Sequence, residues 1–140
     1  DGGKYYGQFG LGHALQRATG GVNWLGTRLN SDSNSPVQDK VLSIVYLYKD
    51  CSYWGARWEE KSELKRGLTT YEYSPLDKST ASKLTLFKLT GANSPFAAGL
   101  PINLQNIPGA IPQTGTTIDY YQSVVVIKNG EAGKLLKNNN

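Results

Sequence analysis

Nucleophilic catalysis needs a base within reach of its nucleophile. The chain holds a single histidine, His13, in a glycine-rich stretch with no serine or cysteine motif beside it. The single cysteine, Cys51, lies two residues from Lys49, a cation able to lower a thiol pKa, but a small, partly buried thiol is the simpler reading. One cysteine admits neither an internal disulfide nor a multi-cysteine metal knuckle. Glu59, Glu60, Glu63, Glu72 and Asp77 supply carboxylates, yet no spacing marks two of them as the pair of a glycoside hydrolase, and they read as solvated surface acids. The stretch GQFGLG, with Gly7, Gly10 and Gly12, lacks both the spacing of a dinucleotide fingerprint and the Gly-Lys-Ser/Thr ending of a phosphate loop. The expectation is a non-enzymatic chain with no catalytic residues, no cofactor and no metal site.

Aromatic side chains are the other population able to bind something. Tyr46, Tyr48, Tyr53, Trp54 and Trp58 fall within thirteen residues. Alternation along a strand divides such a run between two faces, so part of it must serve the core. The remaining candidates for an exposed stacking surface are Tyr53, Trp54 and Trp58, with Trp24 upstream. A second candidate is the proline-stiffened stretch 93–112, whose preorganisation would suit a protease inhibitor or toxin. Charge adds little. The net +4 is spread as +1, +2 and +1 over residues 1–40, 41–90 and 91–140, without the concentrated basic footprint that phosphate binding needs, so nucleic acid is not an expected partner.

The elements that would position these groups are mostly strands. Residues 41–48 (VLSIVYLY) and 117–128 (TIDYYQSVVVIK) are β-branched and aromatic runs bounded by turn signals. Residues 83–89 (KLTLFKL) alternate, with Leu84, Leu86 and Lys88 on one face and Thr85, Phe87 and Leu89 on the other. Residues 68–73 (LTTYEY) read as a further strand, and the polar stretch from 56 to Gly67 as a strand or short helix. A short helix over 13–19 would stop at Gly20 and Gly21. Residues 30–36 form a polar loop, and 91–117, with Pro95, Pro101, Pro108 and Pro112, a long ordered loop. Asn129-Gly130 is a turn dipeptide.

Residues 45–55 (VYLYKDCSYWG), with Tyr48, Tyr53 and Gly55 at the marked positions, resemble the opening hairpin of a βγ-crystallin Greek-key motif, in which an aromatic ring folds over the turn. Residues 77–87 (DKSTASKLTLF) are similar to that family's closing segment, the region from the first to the second spanning about a third of the chain. The resemblance implies a Greek-key β-sandwich. Calcium-binding members carry paired oxygen ligands in the closing segment; here Lys78 follows Asp77 and Lys83 follows Ser82, so no calcium site is expected.

At 140 residues the chain matches one domain able to bury a core of its own. The expected architecture is mainly β, a single antiparallel Greek-key β-sandwich over residues 1–140 with at most one or two short helices. A glycine-rich segment at 1–22 and a flexible tail at 130–140 would flank it. No apolar run is long enough to span a bilayer. The start at Asp1 and the lack of methionine suggest a processed, secreted or extracellular chain. The leading functional expectation is a β domain acting through surface contacts, as a structural, self-assembling subunit or a secreted effector whose partner is protein, itself or another. The alternatives are a carbohydrate-binding module using the tryptophans and a secreted inhibitor or toxin. The opening residues 1–6 and closing residues 134–140 would suit strand exchange between neighbours.

Overall fold

The computed structural model describes residues 3–56, 63–69, 75–97 and 117–133. Among them, strand exceeds helix. In chain order they form α1 (Leu11–Ala14), α2 (Leu25–Ser31), β1 (Ile44–Lys49), β2 (Cys51–Ala56), β3 (Glu63–Leu68), α3 (Pro75–Ser79), β4 (Leu84–Lys88), a 3-10 turn (Thr117–Asp119) and β5 (Ser123–Lys128). No helix among the described residues is long and apolar enough to cross a membrane.

The strands make two small sheets. One has the order β1-β5-β4, with β5 in the centre; the other is the antiparallel pair β2-β3. The expectation of uniformly antiparallel pairing is corrected by β1 and β5, which run parallel in the register Ile44–Ser123 to Lys49–Lys128. β4 pairs antiparallel with β5, from Leu84–Ile127 to Lys88–Ser123. Three consecutive valines, Val124, Val125 and Val126, are all buried in β5, Val124 and Val126 in the core and Val125 between the flanking strands.

One face of the three-stranded sheet carries the core. Val45 and Leu47 of β1, Val124 and Val126 of β5 and Phe87 of β4 pack with Leu15, Leu76, Leu89, Tyr120 and Tyr121, and Phe96 meets Phe87 edge-to-face. At the far end of this face Asp77 of α3 is gripped by Lys49 and Lys128, the paired last residues of β1 and β5. These two ammonium groups hold the Asp77 carboxyl below the usual carboxylate range by donating hydrogen bonds to its charged form. Lys128 also donates to the Asp77 backbone carbonyl at 2.8 Å.

A buried amide pair ties α1 to the sheet. Gln16 donates from Nε2 to the Val41 carbonyl at 2.7 Å and to Gln122 Oε1 at 2.8 Å, with Ser43 Oγ at 3.2 Å, and Gln122 Nε2 returns a bond to Gln16 Oε1 at 3.0 Å. The expected helix over 13–19 is thus displaced. It ends at Ala14 because Leu15 turns into the core and the Gln16 amide N–H bonds the Tyr120 carbonyl. Gly20 and Gly21, both at positive φ, do not stop a helix. They make a two-residue turn between the paired Thr19 and Val22.

A second unexpected helix, α2, crosses α1 at Gly26, where a Cβ would lie 2.8 Å from the Leu15 carbonyl oxygen. Only glycine permits that approach. The described residues therefore hold three short helices where at most two were expected.

β1 and β5 bend together. Each ends at its paired lysine and is followed by a residue in the left-handed region, Asp50 (φ 51°) and Asn129 (φ 53°). The Asn129 N–H donates to the Lys49 carbonyl, and beyond the bend the Ser52 N–H donates to the Gly130 carbonyl at 2.7 Å. The buried Cys51 thiol plugs this corner, 3.3 Å from the Lys49 and Ile127 carbonyl oxygens, and accepts from the Gly130 N–H. Of the expected tail, residues 130–133 run beside β2, with the Ala132 N–H bonded to Ser52 Oγ at 2.9 Å. Residues 134–140 lie outside the described residues.

Candidate functional site: an uncovered sheet face

The register that buries one face of the β1-β5-β4 sheet fixes what the other face presents. Tyr46, Val125 and Leu86 stand in one row across the three strands, and Tyr48, Ile127 and Leu84 in the next. The row beyond them, Ile44, Ser123 and Lys88, closes one end with polar groups. Leu42, two residues ahead of Ile44, extends the apolar column by parity.

These side chains are open to solvent: Leu86 is 63% exposed, Leu84 62%, Tyr46 46%, Ile44 42% and Leu42 66%. Val125 is buried because Tyr46 and Leu86 flank it on the edge strands. No acid occupies this face among the strand positions just named. Lone exposed leucines are ordinary on any surface; here Leu84, Leu86 and Tyr46 stand in adjacent rows of one face. The two apolar rows, across three strands about 4.8 Å apart and roughly four residues deep, give an apolar footprint of roughly 200 Å². Burial of the Tyr48 ring raises its phenol pKa, with smaller contributions from Tyr46 and Cys51.

The side chains marked in the sequence for glycan stacking do not converge. Tyr53 and Trp54 are adjacent on β2 and so face opposite sides of the β2-β3 ribbon, opposite Arg66 and Lys65 respectively. Tyr53 is 42% exposed and its ring lies over Gly55, where a Cβ would meet it at 2.8 Å; Trp54 is 37% exposed and donates its indole N–H to the Gly133 carbonyl. The strands on either side of Asp50 belong to different sheets and do not pair with each other.

Trp24 sits on a separate element, half-buried against Gly12 with its indole N–H on Thr19 Oγ1 at 2.7 Å. His13 meets it edge-on at 5.3 Å. Trp58 lies outside the described residues, as does most of the stretch 93–112.

Sequence alternation had divided residues 84–89 between two faces correctly; Phe87 and Leu89 are the buried set, Leu84 and Leu86 the open one. What it could not supply was the register that sets Leu84 and Leu86 beside Tyr46 and Tyr48. Among the described residues no group of three or more His, Cys, Asp or Glu side chains could hold a metal ion. Compared with protein-family models, curated proteins and solved structures, the chain shows no match.

Proposed function

We propose that this protein is a non-enzymatic, self-associating β domain whose sheet face docks on the same face of a second copy. The observation supporting this is the pair of rows, Tyr46-Val125-Leu86 and Tyr48-Ile127-Leu84, in which Tyr46, Leu84 and Leu86 stand exposed on the face opposite the core. A β-sheet with an apolar face is stable in water when a second layer covers it, and two sheets stacked about 10 Å apart are the simplest solution. On this reading the sandwich expected from the sequence, with its Greek-key and βγ-crystallin-like features, is completed between copies.

The size of the face sets the strength of the contact. Two faces bury roughly 400 Å² of apolar surface together, worth on the order of 10 kcal/mol at about 25 cal/mol per Å², against roughly 4–15 kcal/mol for association. Face-to-face docking alone therefore gives weak dimers.

The test is the molar mass by light scattering over a wide concentration range, for the wild type and for Leu84→Asp/Leu86→Asp. Both leucines are more than 60% exposed, so the variant should keep the wild-type thermal midpoint while association disappears. A wild type that stays monomeric at every concentration, or a variant that associates like the wild type, removes the proposal.

A further inference from the structure

The corner at which β1 and β5 bend selects a dipeptide with chemistry of its own. Asn129 is exposed and sits in the left-handed region at φ 53°, which asparagine tolerates better than most residues. Gly130 packs against the thiol plug. A Cβ there would lie 3.3 Å from Cys51 Sγ and 3.4 Å from Ile127 Cγ2, so a side chain would press on both. Backbone conformation at the first position and close packing at the second thus account for the chain's one Asn-Gly pair.

Such a pair can react with itself. The Gly130 amide nitrogen attacks the Asn129 side-chain carbonyl carbon, so that a new N–Cγ bond replaces the Cγ–Nδ2 bond and closes an imide ring. The side-chain nitrogen leaves as ammonia, carrying the displaced amide proton. Water then opens the ring at either carbonyl to give aspartate or isoaspartate, and no oxidant or reductant is needed. Glycine favours the attack because it has no Cβ to hinder the nitrogen's approach.

We infer that Asn129 is a site of spontaneous deamidation, latched by the hydrogen bonds of the closed corner and released when the corner opens. The inference stands apart from the self-association proposed above. The attacking nitrogen is engaged by the fold: the Gly130 N–H donates to Cys51 Sγ at 3.3 Å, so its proton faces a buried thiol instead of a base in solvent. Resonance keeps an amide nitrogen a weak nucleophile while it holds that proton. Swinging the nitrogen toward Cγ also turns the peptide groups on either side, and both are tied. The Asn129 N–H donates to the Lys49 carbonyl at 3.0 Å, and the Gly130 carbonyl accepts from the Ser52 N–H at 2.7 Å. Reaction therefore needs local opening of the corner, a smaller event than global unfolding.

The isoaspartate product holds the corner open. It routes the main chain through the former side-chain methylene, which lengthens the backbone by one atom and shifts Gly130 and the residues after it against β2. The bonds displaced are the ties of residues 130–133 to β2: Ser52 N–H to the Gly130 carbonyl, Ala132 N–H to Ser52 Oγ at 2.9 Å, and the Trp54 indole N–H to the Gly133 carbonyl.

The experiment incubates the full chain at mildly alkaline pH in native buffer and in concentrated urea, and follows every asparagine by peptide mapping with mass spectrometry. Asn129 should convert faster than any other asparagine in urea and at least tenfold more slowly in native buffer. Cys51→Ala removes the acceptor of the Gly130 N–H and should speed native conversion at least threefold. Val124→Ala, at the other end of β5, gauges how much of that gain comes from lower global stability, the two variants being compared equally far below their thermal midpoints. No preference for Asn129 in urea overturns the site, and native conversion as fast as in urea overturns the latch. A Cys51→Ala rate no higher than that of Val124→Ala overturns the thiol as what holds it.

Discussion

Replacing Gln16 with leucine tests how the opening part of the chain is fixed to the sheet. Gln16 is 8% exposed, and its amide faces the Val41 carbonyl, Ser43 Oγ and both polar atoms of Gln122. Leucine fills most of the volume but forfeits about three hydrogen bonds, each worth about 1 kcal/mol net, and leaves the Gln122 amide half-orphaned at a further 1–3 kcal/mol. Burial of the added apolar surface offsets part of this, giving a net loss of about 2–4 kcal/mol.

The second half of the test is the cycle with Gln122→Leu. Each single change strands the other amide, whereas the double change strands neither across the pair, so its loss should fall short of the sum by about 1–2 kcal/mol. Gln122 retains separate duties to the Ser43 N–H at 3.0 Å and the Ile118 carbonyl at 3.3 Å, so the double variant stays well below wild type. Urea unfolding with a constant m-value reads all four corners. Losses that add within about 0.5 kcal/mol refute the amide pair as a coupled unit.

Two further outcomes follow from the core. The Tyr121 hydroxyl is buried with no hydrogen-bond partner among the described residues, and burial pushes its phenol pKa far above the ordinary value. Tyr121→Phe should therefore raise stability by about 1 kcal/mol, or about 3 °C in the thermal midpoint; a lower midpoint contradicts it. Asp77 titrates below the ordinary carboxylate range because Lys128 and Lys49 favour its charged form. The stability it supplies is complete above its unfolded value of about 3.9 and is lost as pH falls through the depressed folded value. Asp77→Asn should lower the midpoint at pH 7 and flatten its decline under acid; an acid limb as steep as the wild type's excludes the lysine clamp as its source.

The strands were legible where local pattern and burial agree. β1 and β5 are β-branched runs, and β4 alternates cleanly between Phe87 on the core side and Leu86 on the other. Pairing direction was not, because a strand's own residues carry no label for it. The one available signal was the unbroken Val124-Val125-Val126, which departs from the alternation of a half-exposed antiparallel strand. α2 was hidden because Gly26 and Thr27 are poor helix formers. They are present for contact: Gly26 admits the α1 backbone, and Thr27 bonds the Leu15 carbonyl. Gly20 and Gly21 have the same composition whether they end a helix or turn a hairpin, and the Thr19–Val22 pairing decides between the two.

The candidate site was present in the sequence as fragments that only the register assembles. Tyr46 and Tyr48 were noted as aromatics and Leu84 and Leu86 as one face of a strand, but nearly forty residues separate them. The parallel β1-β5 and antiparallel β5-β4 registers place Ser123 and Lys88 in the same row, which gathers these polar positions at one end and leaves the other two rows aliphatic and aromatic. A one-residue slip of β5 would turn its buried Val124 and Val126 outward and break both rows, so the packing that specifies the core also specifies the patch. A face meant only for water would carry polar side chains at these outward positions, as half-exposed sheets do, and an uncovered apolar sheet is an aggregation hazard for a protein with no use for it. The ionic grip of Lys49, Lys128 and Asp77 lies on the packed side instead, where it fixes the strand ends without polarising the open face. That division of labour between the two faces is the physical reason to look for a second layer over Tyr46, Leu84 and Leu86.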